Sequence, residues 1–459
     1  MESLNPSLVL PPREPVIIVG AGAAGMAAAI QLAQADVPTV VLEARDRIGG
    51  RIFTQVDPVC GVPVELGAEF IHGFAPEIWE PLQSSAATIT EVEGQSWCVE
   101  GGNLTKCDLF SRVDSILESM DDSLPDGSFL AYLDRKFPNS SHDPKLEQAK
   151  RRAIQYVSGF NAADPGLVGV HWLSAGIRAE QKRQGHRAFR SGNGYADLVN
   201  WFQRQISQLN VRIQMETAVD NISWKRGCVK LTARGKNGPS SFRASQVLIT
   251  LPISLLKTSR TSGSVEFTPS LPAEKIECLD KLEMGKVIRI TLRFRHRFWE
   301  AISGQASESK KKTLSDMSFL FSENETFPTW WTRMPHREPL ITGWAPFRAA
   351  EFLSHRQPSF MTSRALMTLS ELLGVSVRSL EGELEAAYVH DWQADPFSLG
   401  AYSYGKVGAD GAQEELARPI ENTLFFAGEA TDTSGNNGTV HGAIASGHRA
   451  AAQIIKTLL

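Results

Sequence analysis

The residues with the clearest chemical role are three glycines at a fixed spacing. Gly20, Gly22 and Gly25 form a G-x-G-x-x-G turn that follows an apolar run at 16–19 and precedes an alanine-rich segment. In such a turn the first glycine permits a tight bend, the second lets a pyrophosphate approach the backbone, and the third lets helix and strand pack closely. The N-terminus of the helix then offers free N–H groups and a positive dipole end to the phosphates.

An acid completes this pattern. Glu43 ends a second apolar run, 23 positions after Gly20 (43 − 20 = 23), where a carboxylate can accept hydrogen bonds from a ribose. Strand, glycine turn, helix and acid occur in the order that the dinucleotide fingerprint requires, so we predict a dinucleotide site. The fingerprint alone leaves NAD and FAD open, because the acid serves the ribose of either cofactor.

The elements that position this site are expected from three separated parts of the chain. Patterns suited to a dinucleotide-binding domain occur in 1–80, 190–255 and 390–459. The intervening stretch 81–189 is largely helical in pattern, and 256–389 contains strands of a second sheet. We therefore predict an α/β fold with two domains: a Rossmann-like dinucleotide-binding domain and a discontinuous, inserted substrate-binding domain of mixed sheet plus helices.

The charge balance argues against polyanionic partners. Lys plus Arg number 47 against 51 for Asp plus Glu, a net charge of −4. Such a chain has no overall positive field for nucleic acid or an anionic membrane surface. The short basic cluster at 310–312 lies in a polar stretch and is interpreted as a solvated loop.

Cysteine usage and the chain start point to a reducing compartment. The five cysteines are Cys60, Cys98, Cys107, Cys228 and Cys278, an odd and scattered set without C-x-x-C. This spacing argues against a disulfide framework or a zinc site. The first fifteen residues resemble no signal peptide, and the apolar run from Val16 is too short to span a bilayer. We expect a cytoplasmic protein without membrane attachment.

Four further motifs resemble one family. They are Arg-Ile-Gly-Gly-Arg-Ile at 47–52, Val-Glu-Leu-Gly-Ala-Glu-Phe-Ile-His-Gly at 64–73, Leu-Phe-Phe-Ala-Gly-Glu-Ala-Thr at 424–431 and Gly-Thr-Val-His-Gly-Ala-Ile-Ala-Ser-Gly at 438–447. Together they resemble the flavin-dependent amine oxidases, which include monoamine oxidases, polyamine oxidases and lysine-specific histone demethylases. Within that family the chain most resembles polyamine oxidases and the bacterial amine oxidases like them, given Leu-Gly-Ala-Glu-Phe-Ile-His-Gly at 66–73 and Gly-Ala-Tyr-Ser-Tyr at 400–404.

The resemblance implies a flavoprotein that binds FAD rather than NAD. By motif position, Glu43 would hold the adenosine ribose, Val219 would lie by the adenine, and Glu429 would bind the ribityl or phosphate region. The start of the last helix would face the flavin pyrimidine, where a helix N-terminus stabilises negative charge. The C-terminal motif has no cysteine, so we predict non-covalent FAD. The full set expected to contact the cofactor is Gly20, Gly22, Ala23, Ala24, Gly25, Glu43, Ala44, Arg45, Gly50, Arg51, Gly67, Ala68, Glu69, Phe70, Val219, Gly428, Glu429, Gly438, Thr439 and Val440.

The same resemblance implies a reaction and its participants. The substrate would be a small amine or polyamine, whose α-carbon would give a hydride to flavin N5. The imine would be hydrolysed to an aldehyde, and O2 would reoxidise the flavin to yield hydrogen peroxide. Aromatic walls suit this reaction because they desolvate the amine and lower its pKa. The sequence leaves open whether the chain forms a homo-oligomer.

Four residues are the candidates for the catalytic centre: His72, Arg289, Tyr402 and Trp392. Polyamine oxidases carry His or Glu at the place of His72, near the amine; the alternative is a histidine satisfied in packing. Tyr402 and Trp392 flank the segment that matches the family's substrate side. The other aromatic candidates for the pocket walls are Trp330, Trp331, Trp344 and Tyr404, and a core role is the alternative for each of the six aromatics.

The chain departs from the family pattern at two places. Arg289 stands where much of the family has a lysine that holds a water by flavin N5, while Lys286 falls on the opposite strand face. Arg289 then either holds the water purely as a donor or alters oxygen reactivity; an arginine on a solvated strand face is the alternative. Asn436–Gly438 replaces the tyrosine that usually precedes Thr-Val-His-Gly, which leaves Asn436 as a hydrogen-bonding partner for a larger substrate. His441 is expected to make a structural hydrogen bond.

Two other functions remain open at this point. A related flavoprotein oxidase could act on an L-amino acid, or a desaturase on a ring, and several arginines could clamp a carboxylate. The departures at Arg289 and Asn436 also allow an FAD-binding protein without amine turnover. A histone demethylase is less expected, since the sequence shows no long coiled-coil insertion.

Overall fold

A computed structural model describes residues 14–138, 143–236, 238–257, 263–307 and 310–458. The N-terminal stretch for which no signal peptide is expected lies almost wholly outside these residues. Within them the chain forms an α/β fold in which parallel, antiparallel and helical layers meet around one cavity.

The strands, in chain order, are β1 (Val16–Val19), β2 (Thr39–Leu42), β3 (Thr54–Val56), β4 (Pro63–Glu65), β5 (Ile71–His72), β6 (Ile89–Glu91), β7 (Gln95–Glu100), β8 (Asn103–Lys106), β9 (Ala188–Ser191), β10 (Arg212–Gln214), β11 (Thr217–Lys225), β12 (Cys228–Gly235), β13 (Gly238–Ala244), β14 (Val247–Ile249), β15 (Glu266–Thr268), β16 (Leu282–Met284), β17 (Val287–Phe294), β18 (Ser303–Ser307), β19 (Lys310–Thr313), β20 (Met317–Ser322), β21 (Thr329–Thr332), β22 (Leu340–Pro346), β23 (Leu384–Asp391), β24 (Ser403–Gly405) and β25 (Leu424–Phe426).

The α-helices are α1 (Ala23–Gln34), α2 (Pro76–Ser84), α3 (Leu109–Leu117), α4 (Phe129–Lys136), α5 (Pro144–Phe160), α6 (Val170–Lys182), α7 (Ala196–Gln208), α8 (Ile253–Lys257), α9 (Ala273–Lys281), α10 (Arg348–Leu353), α11 (Pro358–Leu373), α12 (Val377–Glu383), α13 (Ala412–Ala417) and α14 (Val440–Leu458).

A five-stranded parallel sheet positions the glycine turn. Its order is β10-β2-β1-β14-β25, so the central strand β1 delivers the chain to the turn at the carboxyl edge, where ligands bind in open α/β sheets. Helices α1 and α14 pack together on one face of this sheet. They approach closely because Gly447 has no side chain: a Cβ there would lie 2.2 Å from the carbonyl oxygen of Ala24.

Two further layers enclose the other side of the cavity. A nine-stranded sheet has the order β19-β18-β8-β7-β20-β21-β22-β17-β23. Helices α10, α11 and α12 contribute apolar residues to the core on one of its faces. Helices α3 to α6 form a separate helical layer with its own apolar core. Strand β17 is buried along its whole length, although polar residues occupy every second position at Arg289, Thr291 and Arg293.

The parallel sheet takes its strands from the three stretches predicted for the dinucleotide-binding domain, and the nine-stranded sheet takes its strands almost entirely from the other two. The exact boundaries stay a prediction, because α2 crosses residue 80 and β23 crosses residue 390. Helix α9 and β16, placed in the substrate domain by sequence, pack in the core beside the parallel sheet. The expectation of a largely helical 81–189 missed four short strands, β6 to β9. Strands β7 and β8 form a local hairpin, but each also pairs with a strand distant in sequence, and β6 pairs with the distant β9.

Two sequence interpretations are wrong. The basic cluster at 310–312 is part of strand β19, which pairs with β18, because a hairpin supplies backbone partners that a loop would lack. The case against disulfides fails for Cys98 and Cys107, which are joined in the β7–β8 hairpin. Antiparallel pairing brings their Cα atoms to 5.7 Å, a separation that spacing alone does not reveal. The expectation of a reducing compartment therefore loses this support.

No helix among the described residues is long and apolar enough to cross a membrane. The same residues contain no cluster of three histidine, cysteine or acidic side chains placed to hold a metal ion.

Candidate active site

A cavity of about 490 Å³ connects the glycine turn with the helical layer. The four catalytic candidates line it, and so does every residue of the predicted cofactor set except Gly25, which packs α1 on β1. A Cβ on Gly25 would lie 2.0 Å from the carbonyl oxygen of Gly20, so this glycine is needed for packing, as the fingerprint requires.

Gly22 has a different reason to be glycine. Its backbone is extended, with φ −72° and ψ 179°, and a Cβ there would meet no atom within 4 Å. Neither strain nor packing therefore excludes a side chain at Gly22. The open space lies in the cavity before the N-terminus of α1, where a pyrophosphate fits the free N–H groups.

Glu43 lies beside this turn with its carboxylate already oriented. Its oxygens accept hydrogen bonds from the backbone N–H of Ala21 at 2.7 Å and of Arg45 at 2.9 Å. Each oxygen keeps a second lone pair for a ribose hydroxyl. Val219 lines the same end of the cavity at an irregularity in the pairing of β11 with β12.

Glu429 joins three segments at the middle of the cavity. Its carboxylate accepts hydrogen bonds from Arg51 Nη1 at 3.0 Å, Ser403 Oγ at 2.6 Å and the backbone N–H of Gly438 at 2.9 Å. These contacts tie the Gly-Gly-Arg segment to the turn before α14. Glu429 thus orders this part of the wall, and its contact with the ribityl chain of a cofactor stays a prediction.

The other end of the cavity is an aromatic chamber. Its walls are Phe70, Tyr156, Phe160, Trp172, Phe319, Phe321, Trp331, Trp344 and Tyr402. Two of these residues direct their polar atoms at backbone carbonyls. The Tyr402 hydroxyl donates to the carbonyl oxygen of Phe160 at 2.7 Å, and Trp344 Nε1 donates to that of Gly159 at 2.9 Å. The rings therefore present apolar faces to the space between them, which suits a desolvated amine and cation–π attraction.

His72 lines this chamber from strand β5. Its ring lies 5.6 Å from that of Phe160 and 6.1 Å from that of Phe70. Burial, helped by the positive charge of Arg183, lowers the pKa of His72 to about 4. The imidazole is accordingly neutral at pH 7 and able to exchange a hydrogen bond with a neutral amine.

Arg289 is buried rather than solvated, so the alternative of an exposed strand arginine is wrong. It donates to the carbonyl oxygen of Gly67 at 3.0 Å and also to the carboxylate of Glu69. Lys286, by contrast, pairs at 2.6 Å with Glu351 on the half-exposed outer side. Trp392, which donates to the carbonyl of Leu66 at 2.7 Å, lines the cavity next to Gly67.

Other sequence candidates lie elsewhere or are already engaged. Trp330 and Tyr404 are buried in separate cores and do not line the cavity. The side chain of Asn436 accepts from Arg183 and donates to Ser434 at 2.8 Å, so it is satisfied within the protein. His441 is buried at the start of α14 and, among the described residues, its Nε2 has no hydrogen-bond partner, so the expected structural bond is not found at this atom.

Sequence reasoning missed the contribution of helices α5 and α6. Leu173, Gly176, Ile177 and Glu180 of α6 line the chamber at helical spacing, the i, i+3, i+4, i+7 pattern of one helix face. That pattern was available in the sequence, but nothing local shows that this face meets a cavity. Glu180 is the one missed residue with a charge suited to an amine, because the other cavity acids accept hydrogen bonds from protein donors.

Comparison with known proteins indicates the same family as the sequence motifs. A family model described as flavin containing amine oxidoreductase matches residues 23–87 and 113–455. Polyamine oxidase 2 of Arabidopsis thaliana is 27% identical over 464 residues, covering 95% of this chain and 87% of that protein. Lysine-specific histone demethylase 2 of Homo sapiens is 28% identical over 468 residues, covering 96% of this chain and 53% of that protein. The chain spans 30 to 58% of the length of the plant demethylases that it also matches.

Solved structures show the same fold at low identity. Wild-type putrescine oxidase bound to putrescine has a TM-score of 0.78 at 19% identity, over 97% of this chain and 99% of that chain. Cyclohexylamine oxidase from Brevibacterium oxydans IH-35A has a TM-score of 0.77 at 20% identity, over 97% of this chain and 100% of that chain.

Proposed function

Because this chain belongs to the flavin-containing amine oxidoreductase family, and is therefore an FAD-dependent enzyme, we propose that it oxidises small amines or polyamines and uses O2 as electron acceptor. Bound FAD would accept a hydride from the amine α-carbon and pass the electrons to O2, which would become hydrogen peroxide. Water would hydrolyse the resulting imine to an aldehyde and an amine or ammonia. The observation that carries the proposal is one continuous cavity, with the glycine turn expected to bind a dinucleotide at one end and the aromatic chamber at the other.

The protein's own part in this chemistry is to select the neutral amine and exclude water. The chamber rings desolvate the amine nitrogen, which lowers its pKa and favours the neutral form that can lose a hydride. His72, itself neutral at pH 7, provides a hydrogen-bonding partner for that nitrogen. Tyr402 and Trp392 hold the substrate between the chamber and the Gly67–Ala68 backbone.

Glu180 supports a substrate with a second positive charge. Its carboxylate lines the chamber, and among the described residues no hydrogen bond to it is found. Burial raises the pKa of Glu180, and the positive charges of Arg183 and His186 oppose that rise. A distal ammonium would relieve the burial cost of this carboxylate, because buried charges are stable when they are paired.

Anaerobic mixing with a panel of amines tests the proposed function. Bleaching of the oxidised-flavin absorption by diamines or polyamines would support it, and failure of every amine would contradict it. An L-amino acid is the second candidate, since Arg183 lines the same chamber and could pair with a carboxylate. Bleaching by amino acids alone would favour that activity, and bleaching by a dimethyl-lysine peptide alone would favour demethylation.

We expect His72→Ala to retain FAD but to slow flavin reduction at least tenfold, an effect of about 1.4 kcal/mol. The alanine removes the proposed hydrogen bond to the amine, whereas FAD is expected at the glycine turn and the His72 ring lies beside the rings of Phe70 and Phe160. Stopped-flow reduction at saturating substrate measures this rate. His186→Ala, at an exposed histidine four residues beyond the end of α6, is the matched control. Equal rates in wild type and His72→Ala would remove His72 from the reaction.

We expect Glu180→Gln to lower kcat/KM for α,ω-diamines at least tenfold, since hydrogen bonds to charged groups contribute about 1.5–3 kcal/mol. n-Alkylamines of the same chain length lack the second charge and should be affected less than twofold. Glu274→Gln, an exposed acid outside the cavity, is the control. Parallel losses for both amine series would show that Glu180 shapes the chamber without recognising charge.

A further inference from the structure

A buried carboxylate is shared between two arginines at the edge of the cavity. Glu69 accepts from Arg190 Nε at 2.6 Å, from Arg289 Nη2, and from Trp331 Nε1 at 3.0 Å. The side chains of Glu69, Arg190 and Arg289 are each exposed by 8% or less. Burial alone would raise the pKa of Glu69, but the charges of Arg289 and Arg190 outweigh it and lower this pKa to about 2. The carboxylate is therefore ionised.

The cluster formed by Glu69, Arg190 and Arg289 carries one excess positive charge. Two guanidinium groups face one carboxylate, and the remaining bonds of Arg190 go to the neutral carbonyls of Thr332 and Met334 at 3.2 and 3.3 Å. These carbonyls satisfy donors without cancelling charge.

Neighbouring ionisable groups do not remove this excess. Arg333 adds a positive charge near Glu69 and is itself paired with Glu338 at 3.5 Å. Burial raises the pKa of nearby Glu65 to about 7, so its carboxyl compensates only part of the excess at neutral pH.

Arg289 lies where the two ends of the cavity meet. On one side it donates to the carbonyl oxygen of Gly67. Gly67 packs against the Arg51 carbonyl, from which a Cβ would be only 1.8 Å away. On the other side the guanidinium lies 5.5 Å from the ring of Trp331 in the chamber wall. The reactive ring of a dinucleotide whose pyrophosphate lies at Gly22 must reach this junction to meet a substrate in the chamber.

We propose that Arg289 presents a fixed positive charge to the isoalloxazine ring of FAD, and that Arg190 prevents Glu69 from neutralising it. Glu69 is the positioning residue, since it holds the guanidinium beside Gly67. Arg190 lies behind Glu69, outside the cavity wall, and acts through charge. The cluster thus serves in place of a lysine without needing to release a proton, which an arginine cannot do.

The consequence is a bound flavin that accepts negative charge easily. Reduction adds negative charge to the ring, and so does the reversible addition of sulfite to oxidised flavin. A nearby cation favours both products over oxidised, unmodified FAD. Sulfite affinity and midpoint potential therefore report the charge of the cluster without amine turnover.

Titration of the oxidised holoenzyme with sulfite, together with the midpoint potential of bound FAD, tests the proposal. We expect Arg289→Met and Arg190→Met each to weaken sulfite binding at least tenfold and to lower the potential by about 30 mV or more, the equivalent of tenfold for a two-electron couple. Arg289→Lys keeps the charge and should stay within threefold of wild type. Arg295→Met removes an exposed cation just beyond the same strand and is the control.

Wild-type values in Arg289→Met or in Arg190→Met would overturn the proposal, as would equal losses in Arg289→Met and Arg289→Lys. The last outcome would mean that guanidinium geometry, not charge, matters. Both measurements are independent of the proposed amine substrate, so failure of every amine to reduce the flavin would leave this inference standing.

Discussion

A Gly22→Val protein should fold like the wild type and yet lose at least a hundredfold in FAD affinity, about 2.7 kcal/mol. Gly22 has ordinary extended dihedral angles, and a Cβ there would touch nothing within 4 Å. The valine side chain would therefore cost the protein itself little. It would occupy the space before α1 that a pyrophosphate needs to reach the free N–H groups.

Fluorescence titration of the apoprotein with FAD measures this loss, and circular dichroism checks the fold. Gly382→Val is the matched control, because Gly382 also has ordinary φ and open space around a Cβ but lies in α12, away from the cavity. Gly25→Val should instead fail to fold, since its Cβ would lie 2.0 Å from the Gly20 carbonyl oxygen. If Gly22→Val bound FAD normally, the cofactor could not lie against this turn.

Asp57→Asn should lower the free energy of unfolding at pH 7 by about 3 kcal/mol, the cost of breaking one side of a buried ion pair. Asp57 is fully buried. It accepts from Arg293 Nε at 2.6 Å and from the Tyr388 hydroxyl at 2.6 Å, as well as from two backbone N–H groups. The amide keeps the shape of the carboxylate but leaves the guanidinium charge of Arg293 less compensated.

The pKa of Asp57 determines how this loss of stability changes with pH. Burial alone would raise the pKa of Asp57, but the hydrogen bonds from Tyr388, Cys60 and Val59 outweigh it and hold the pKa well below the ordinary range. A carboxyl with a depressed folded pKa contributes stability above its unfolded pKa, about 3.9, and loses it as pH falls through the folded value. The difference between wild type and Asp57→Asn should thus be complete at pH 7 and shrink below about pH 4.

Urea unfolding followed by tryptophan fluorescence at pH 7 and pH 3 measures the two differences. Asp121→Asn is the control, since Asp121 is exposed and its carboxylate accepts hydrogen bonds from Ser123, two residues away in sequence. A loss that is equal at both pH values would show that the amide disturbs packing rather than charge.

The cofactor half of the site could be predicted from sequence because its requirements are local. Gly20, Gly22 and Gly25 act through the backbone of one turn, and Glu43 follows at the end of the next strand in the same sheet. The family motifs at 424–431 and 438–447 supplied the distant closing segments, and the residues named from them line the cavity. The family, the α/β fold and FAD as cofactor are confirmed.

The substrate half could not be predicted in the same way. Sequence placed Trp330 and Trp331 together as wall candidates, but neighbours on a strand face opposite sides, so Trp331 lines the chamber and Trp330 packs in the core. Asn436 was interpreted as a substrate contact, yet Arg183, from the end of α6, occupies its carbonyl oxygen. Cys98 and Cys107 become partners only through the pairing of β7 with β8.

The sequence by itself determined the turn that receives the cofactor, because a strand, a glycine turn, a helix and an acid contact each other within one short unit. It also indicated the family and FAD, because the motifs at 47–52, 64–73, 424–431 and 438–447 are each contiguous in the chain. Tertiary structure alone decided which charges meet. Arg190 and Arg289 lie 121 and 220 positions from Glu69 along the chain. Glu180 reaches the chamber only because α6 packs over it. The energy of a charge depends on its distance to other charges and on its burial, and both are set by packing between layers rather than by spacing in the sequence.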